Sequence, residues 1–232
     1  MLIRSGLCMI CLSFASAVFA GAGPNLVLLD ANFNDRPLNA QIGTGGAVVG
    51  EPVSLSGGLS AVVTPVPLPT PSLRLSQAST GSARFATFEF LGGEEVQSGA
   101  LIVFFVLRPA ALDRFLVSVR ENNGASRNFG DLTFLSSGSI VLADANPGIA
   151  IGNYVAGQTL VFEFRYDMDA GTYDLRFNGQ LVVNDRAHGV PDRGVGSVLI
   201  GTDPASASQW FLDDLSVTRP EGIFGNGFED TP

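Results

Sequence analysis

From Thr159 to Met168 every second residue is apolar, and a two-residue period of that length specifies a β-strand with one face in a core and one in water. Leu160, Phe162, Phe164, Tyr166 and Met168 share the apolar face, while Glu163, Arg165 and Asp167 share the other. Asp169-Ala170-Gly171 is a turn, and Thr172 to Phe177 returns with Tyr173, Leu175 and Phe177 inward. Asn178-Gly179 then precedes a third strand, Gln180 to Val183. An Asn-Gly pair between two strands predicts a type I′ hairpin, because both central residues need positive φ.

The same reading places strands at Leu59–Val63, Ser72–Leu75, Arg84–Phe90, Ala100–Leu107, Phe115–Arg120, Asp131–Leu135, Ser197–Gly201 and Gln209–Val217. Ala100 to Leu107 is apolar on both faces, which predicts a central strand covered on two sides. No stretch keeps a helical 3.6-residue period over three turns. Turn-forming clusters recur about every ten residues, the spacing of a sandwich. The expected fold is all-β, a two-sheet antiparallel β-sandwich of jelly-roll type with roughly a dozen strands and no substantial helix. Thr64-Pro65-Val66-Pro67-Leu68-Pro69-Thr70-Pro71 cannot be a central strand, since proline lacks the ladder donor, and is expected to be a stiff loop crossing between sheets.

The N-terminus differs in kind. Met1-Leu2-Ile3-Arg4 is a short basic start, Leu7 to Phe19 is apolar, and Val18-Phe19-Ala20 puts small residues where a signal peptidase reads. The expected organisation is a signal peptide at 1–20, a sandwich domain at 24–219 and a short tail at 220–232, giving a secreted or periplasmic protein with no transmembrane segment after cleavage. Both cysteines, Cys8 and Cys11, lie in the leader, so the mature chain has no disulfide, thiolate metal site or cysteine nucleophile. Cleavage removes Arg4 and no acid, taking the formal charge from −9 to about −10. A field of that sign repels nucleic acid and anionic membranes, so neither is an expected partner.

Three passages resemble the concanavalin A-like lectin/glucanase superfamily, the jelly-roll group that includes laminin G and MAM domains. They are Leu28-Leu29-Asp30-Ala31-Asn32-Phe33-Asn34-Asp35, the hairpin from Asp167 to Gly179, and Trp210-Phe211-Leu212-Asp213-Asp214-Leu215-Ser216-Val217. The resemblance implies antiparallel pairing of the first and last strands. It also implies a structural cation site, with Asp213 joined by Asn32 and Asn34 at positions that are acidic in MAM-like members. Calcium is the cofactor so implied.

Residue chemistry gives little sign of catalysis. The E-x-D-x-x-E string of the superfamily's glucanases, which sets two carboxylates on one strand face, is absent. Glu94-Glu95 reads as a solvated turn, and His188, the only histidine, as a solvated loop residue without a G-x-S-x-G partner. Strict alternation would put Asp213 on the core side with Phe211, Leu215 and Val217. A carboxylate there must bind a cation or accept several hydrogen bonds. Asp167-x-Asp169-x-Gly171 lacks the later acid of a calcium loop and reads as a β-turn. Trp210 and Tyr154 could stack on a sugar ring, with packing as their default role. The expected function is an exported, non-catalytic binding module for a glycan or cell-surface ligand. A carbohydrate-active hydrolase or lyase, and a structural surface or matrix protein, are the alternatives.

Overall fold

A computed structural model describes residues 25–43, 54–77, 81–122, 128–144, 147–190, 193–204 and 206–220. The expected signal peptide and all of the tail beyond Pro220 lie outside them. Fifteen strands follow in chain order: β1 Leu26–Ala31, β2 Ser54–Leu55, β3 Leu59–Thr64, β4 Ser72–Gln77, β5 Arg84–Glu89, β6 Ala100–Pro109, β7 Phe115–Arg120 and β8 Asn128–Phe134. Then come β9 Ser139–Ala143, β10 Ile149–Asn153, β11 Leu160–Asp167, β12 Thr172–Phe177, β13 Gln180–Ala187, β14 Ser197–Thr202 and β15 Gln209–Arg219. One 3-10 turn at Leu91–Gly93 is the only helical element among the described residues, and none of these has a helix long and apolar enough to cross a membrane.

The strands form two antiparallel sheets. One runs β13-β12-β11-β6-β15-β4-β3, with β1 also on β15; the other runs β10-β9-β8-β7-β14-β5-β2. β15 is long enough to serve two partners along one edge, β4 beside Gln209–Leu212 and β1 beside Leu215–Arg219. The first and last strands are therefore antiparallel neighbours. Alternate residues of both sheets point inward and pack as one core. The contact between layers is largely aromatic: Phe162 of β11 meets Phe134 of β8 edge-on at 5.8 Å and stacks within its own sheet on Phe105 and Phe177.

The predicted meander is present. Leu160, Phe162, Phe164, Tyr166 and Met168 are all buried, and Asn178 and Gly179 have φ of 49° and 80°. Three expectations change. β9 and β10 complete one side of the sandwich and had no sequence prediction; β10 carries Gly152, where a Cβ would meet the Phe177 ring at 2.7 Å. That small residue allows close packing and also blurs the strand's alternation. The proline-rich segment joins β3 to β4, neighbours in one sheet, so it does not cross between sheets. Its prolines keep it out of the ladder but not off the sheet face. In β6 only one side is fully buried: Ile102, Phe104 and Val106 are half-buried on the outer surface of the eight-stranded sheet.

Candidate functional site

Asp213 is 2 % exposed, yet it does not face the core. Trp210 and Leu212 point inward, which puts Phe211 and Asp213 on the outer face, opposite Arg108 and Val106 of β6. Between Asp213 and Ser216 the register advances three residues on β15 and two on β6, so one residue is extra. Asp214 has φ of 50° in this bulge, a left-handed conformation that aspartate tolerates better than most side chains. The bulge reverses the alternation, so Leu215 and Val217 are inward although Asp213 is outward. This corrects the core-facing expectation.

The proline-rich loop is what covers Asp213. Thr70 Oγ1 donates to Asp213 Oδ2, and the Asp214 backbone N–H donates to Asp213 Oδ1 at 2.9 Å. Burial raises the Asp213 pKa, partly offset by the Thr70 and Asp214 bonds. Of the other residues expected at a cation site, Asn32 Nδ2 donates to Asp30 at 3.2 Å and Asn32 Oδ1 accepts the Asn34 N–H at 3.1 Å. The described residues hold no group of three or more His, Cys, Asp or Glu side chains that could hold a metal ion. Calcium takes about six to eight oxygens, and this donor set fits it poorly.

The same loop walls one side of an open groove of about 350 Å³ on the outer face of the eight-stranded sheet. Its floor is a row across three strands, in which Phe211 of β15 stands between Arg74 of β4 and Arg108 of β6. Thr64, Val66 and Pro67 form one wall, with Thr64 Oγ1 donating to the Val66 carbonyl at 3.0 Å, and Gly157 lies beside the Arg108 guanidinium. The volume lies within the range of about 300–1,000 Å³ typical of small-ligand pockets. Sequence reading passed over Arg74 and Arg108, and it put Phe211 on the core side, whereas the ring is half-buried on the outer face. Their signal was two arginines at outward positions of apolar strands, and it acquires meaning only when the strand order places them side by side.

The remaining candidates are structural in placement. His188 is 3 % exposed, not solvated. Its ring lies 5.0 Å from that of Phe129, its Nδ1 accepts the Val190 N–H at 3.2 Å, and its backbone N–H donates to the Gly171 carbonyl. Burial lowers its pKa, so the unfolded chain binds the proton more readily. The stability this neutral imidazole contributes is complete above about pH 6.5 and declines as pH falls toward the lowered folded value. Between pH 7.5 and 5 the urea midpoint is expected to fall further in the wild type than in His188→Gln; parallel pH curves would show that His188 does not titrate with folding.

Trp210 and Tyr154 are core residues, 1 % and 2 % exposed. Asp167 Oδ1 caps its turn by accepting the Ala170 N–H at 2.8 Å, and Glu95 Oε1 accepts the Asn122 N–H at 2.7 Å. Asp131 of β8 has a raised pKa, chiefly through burial, with Asp144 adding its charge. Asp144 itself is committed to Arg186 and Tyr173.

No family model and no curated protein matches the sequence. Solved structures do share its architecture. A sialidase aligns with a TM-score of 0.57 at 13 % identity, over 72 % of this chain and 16 % of its own. A conserved carbohydrate esterase from the Shiga toxin-encoding bacteriophage phi24B gives 0.57 at 11 % identity, over 84 % and 99 %. The binding domain of botulinum neurotoxin DC, solved with rat synaptotagmin II, gives 0.53 at 12 % identity, over 83 % and 48 %. The chain thus spans about a sixth of the sialidase and about half of the neurotoxin chain. At these identities the likeness is one of fold, a two-layer β-sandwich.

Proposed function

We propose that this protein is an exported, non-catalytic binding module of concanavalin A-like type, whose ligand is a glycan or another cell-surface group. The observation that carries the reading is the open groove beside the proline-rich loop, with the half-buried ring of Phe211 in its floor. A planar aromatic face beside polar side chains suits a sugar, which presents both C–H faces and hydroxyls. The sandwich likeness to a sialidase, a carbohydrate esterase and a toxin binding domain supports the reading at the level of fold. Export rests on the leader at 1–20.

A glycan array probed with the purified protein, with and without EDTA, is the test. Binding to a restricted set of glycans is expected, and a uniformly blank array would remove sugar binding. The same samples address calcium at Asp213, Asn32 and Asn34. With Asp213 already bonded to Thr70 and Asp214, EDTA is expected to leave the melting temperature unchanged. A drop that Asp213→Ala abolishes would instead assign a structural Ca²⁺ to that site.

A further inference from the structure

We propose that the groove beside the proline-rich loop takes an anionic saccharide, its carboxylate or sulfate held between Arg74 and Arg108 and its ring lying on Phe211. The inference rests on the binding-module reading and names the chemistry of its ligand.

The row geometry comes first. Arg74 and Arg108 are both register partners of Phe211, on the strands either side of β15. Neighbouring strands lie about 4.8 Å apart, so the two arginine backbones stand roughly 10 Å from each other with side chains on the same face. That span lets two guanidinium groups close on one oxyanion above the intervening ring. The planar fork of each matches a carboxylate or sulfate edge.

Charge is the second observation. The chain has 22 acids against 13 arginines, and Arg114, Arg165, Arg176 and Arg186 each sit within ion-pair distance of an acid. Arg74 and Arg108 make no ion pair with any described residue, and the groove lining contains no carboxylate. Asp213, on the same face, is turned toward Thr70 and the Asp214 N–H. Two unpaired cations have been kept together in a protein whose overall charge is −9. That overall charge acts weakly inside the groove, because salt screens it over about 8 Å at physiological ionic strength.

The third observation is Arg74 Nε, which is buried and has no hydrogen-bond partner among the described residues. A buried donor on a charged group is costly to leave unmade, and an oxyanion seated in the groove would satisfy it.

Calorimetric titration with tetragalacturonate, with its neutral methyl ester and with a sulfated chondroitin tetrasaccharide tests the proposal in about 150 mM NaCl. At least one of the two anionic probes is expected to bind, and which one does so separates carboxylate from sulfate. When tetragalacturonate binds, the ester should be weaker by about tenfold or more. Arg74→Gln and Arg108→Gln should each weaken the bound anion by a similar factor, and Arg108→Lys, which keeps the charge but loses the fork, should fall between. Equal affinity for acid and ester, or glutamine variants that bind as the wild type does, would overturn the proposal; the ester comparison needs no variant to fold. Neutral glycans on the array with no anionic binding would sink this inference and leave the binding-module reading standing. Blank results in both experiments would remove the two together.

Discussion

Arg186→Leu is expected to destabilise the protein by about 3–5 kcal/mol, because it removes the cation that neutralises a buried carboxylate. Asp144 continues the inward row of Ile140 and Leu142 past the end of β9, and its side chain is fully buried. Arg186 Nε donates to Asp144 Oδ2 at 2.6 Å, Arg186 Nη2 to Oδ1 at 2.8 Å, and the Tyr173 hydroxyl to Oδ2 at 2.6 Å. Nη2 also reaches the Pro147 carbonyl at 2.9 Å. β9 belongs to the seven-stranded sheet, whereas Tyr173 and Arg186 are on β12 and β13 of the other. The cluster therefore ties the two layers at one open side of the sandwich. The Tyr173 pKa is pushed far up by burial and by the Asp144 carboxylate, so its hydroxyl stays a donor throughout the working pH range.

Urea unfolding of three variants tests the cluster. Tyr173→Phe should cost about 1–2 kcal/mol, since it removes one hydrogen bond to a charge. Replacing Asp144 and Arg186 together by leucine should cost less than Arg186→Leu alone, because no buried charge is then left without its counter-ion. A loss below about 1 kcal/mol in Arg186→Leu would mean that the pair contributes no more than a surface ion pair does.

Trp210→Ala is expected to cost about 3–5 kcal/mol and Trp210→Phe only about 1–2 kcal/mol. Phe115 lies between two rings, with Phe134 at 4.0 Å and Trp210 at 5.7 Å, both nearly parallel to it. Tyr154 closes the group edge-on, its hydroxyl donating to the Asp113 carbonyl at 2.7 Å. Alanine at 210 removes one end of the stack and leaves a cavity that neighbouring strands cannot collapse to fill. Phenylalanine keeps a ring on Phe115, and the lost indole Nε1 has no hydrogen-bond partner among the described residues. The two midpoints in urea decide the point. A Trp210→Phe loss as large as that of Trp210→Ala would show that a single ring on Phe115 does not hold the stack and that the full indole bulk is what the fold needs.

Much of the architecture was legible because the period-2 signal is local. The residues of β11 and β12 announce their inward face within eight positions, and Asn178-Gly179 fixes the following turn by steric need alone. Edge strands were harder to see. β10, with Ala150 and Gly152, carries little hydrophobic signal of its own and forms through its pairing with β9. Asp213 shows the other failure. Alternation predicts its face correctly only if no residue is extra, and the Asp214 bulge appears only once β15 is laid against β6. His188 misled for a similar reason, since a lone histidine in a polar stretch gives no sign that Phe129 and Gly171 will enclose it.

The sequence by itself determined the all-β class, the β11–β13 meander with its buried face and the Asn178-Gly179 turn, because each depends on neighbours one to four positions away. The tertiary structure alone decided that Arg74, Phe211 and Arg108 form one row, that Asp144 meets Arg186, and that the proline-rich loop lies over Asp213. Those contacts join residues tens to more than a hundred positions apart, and strand order, register and one bulge set them, none of which any local pattern encodes.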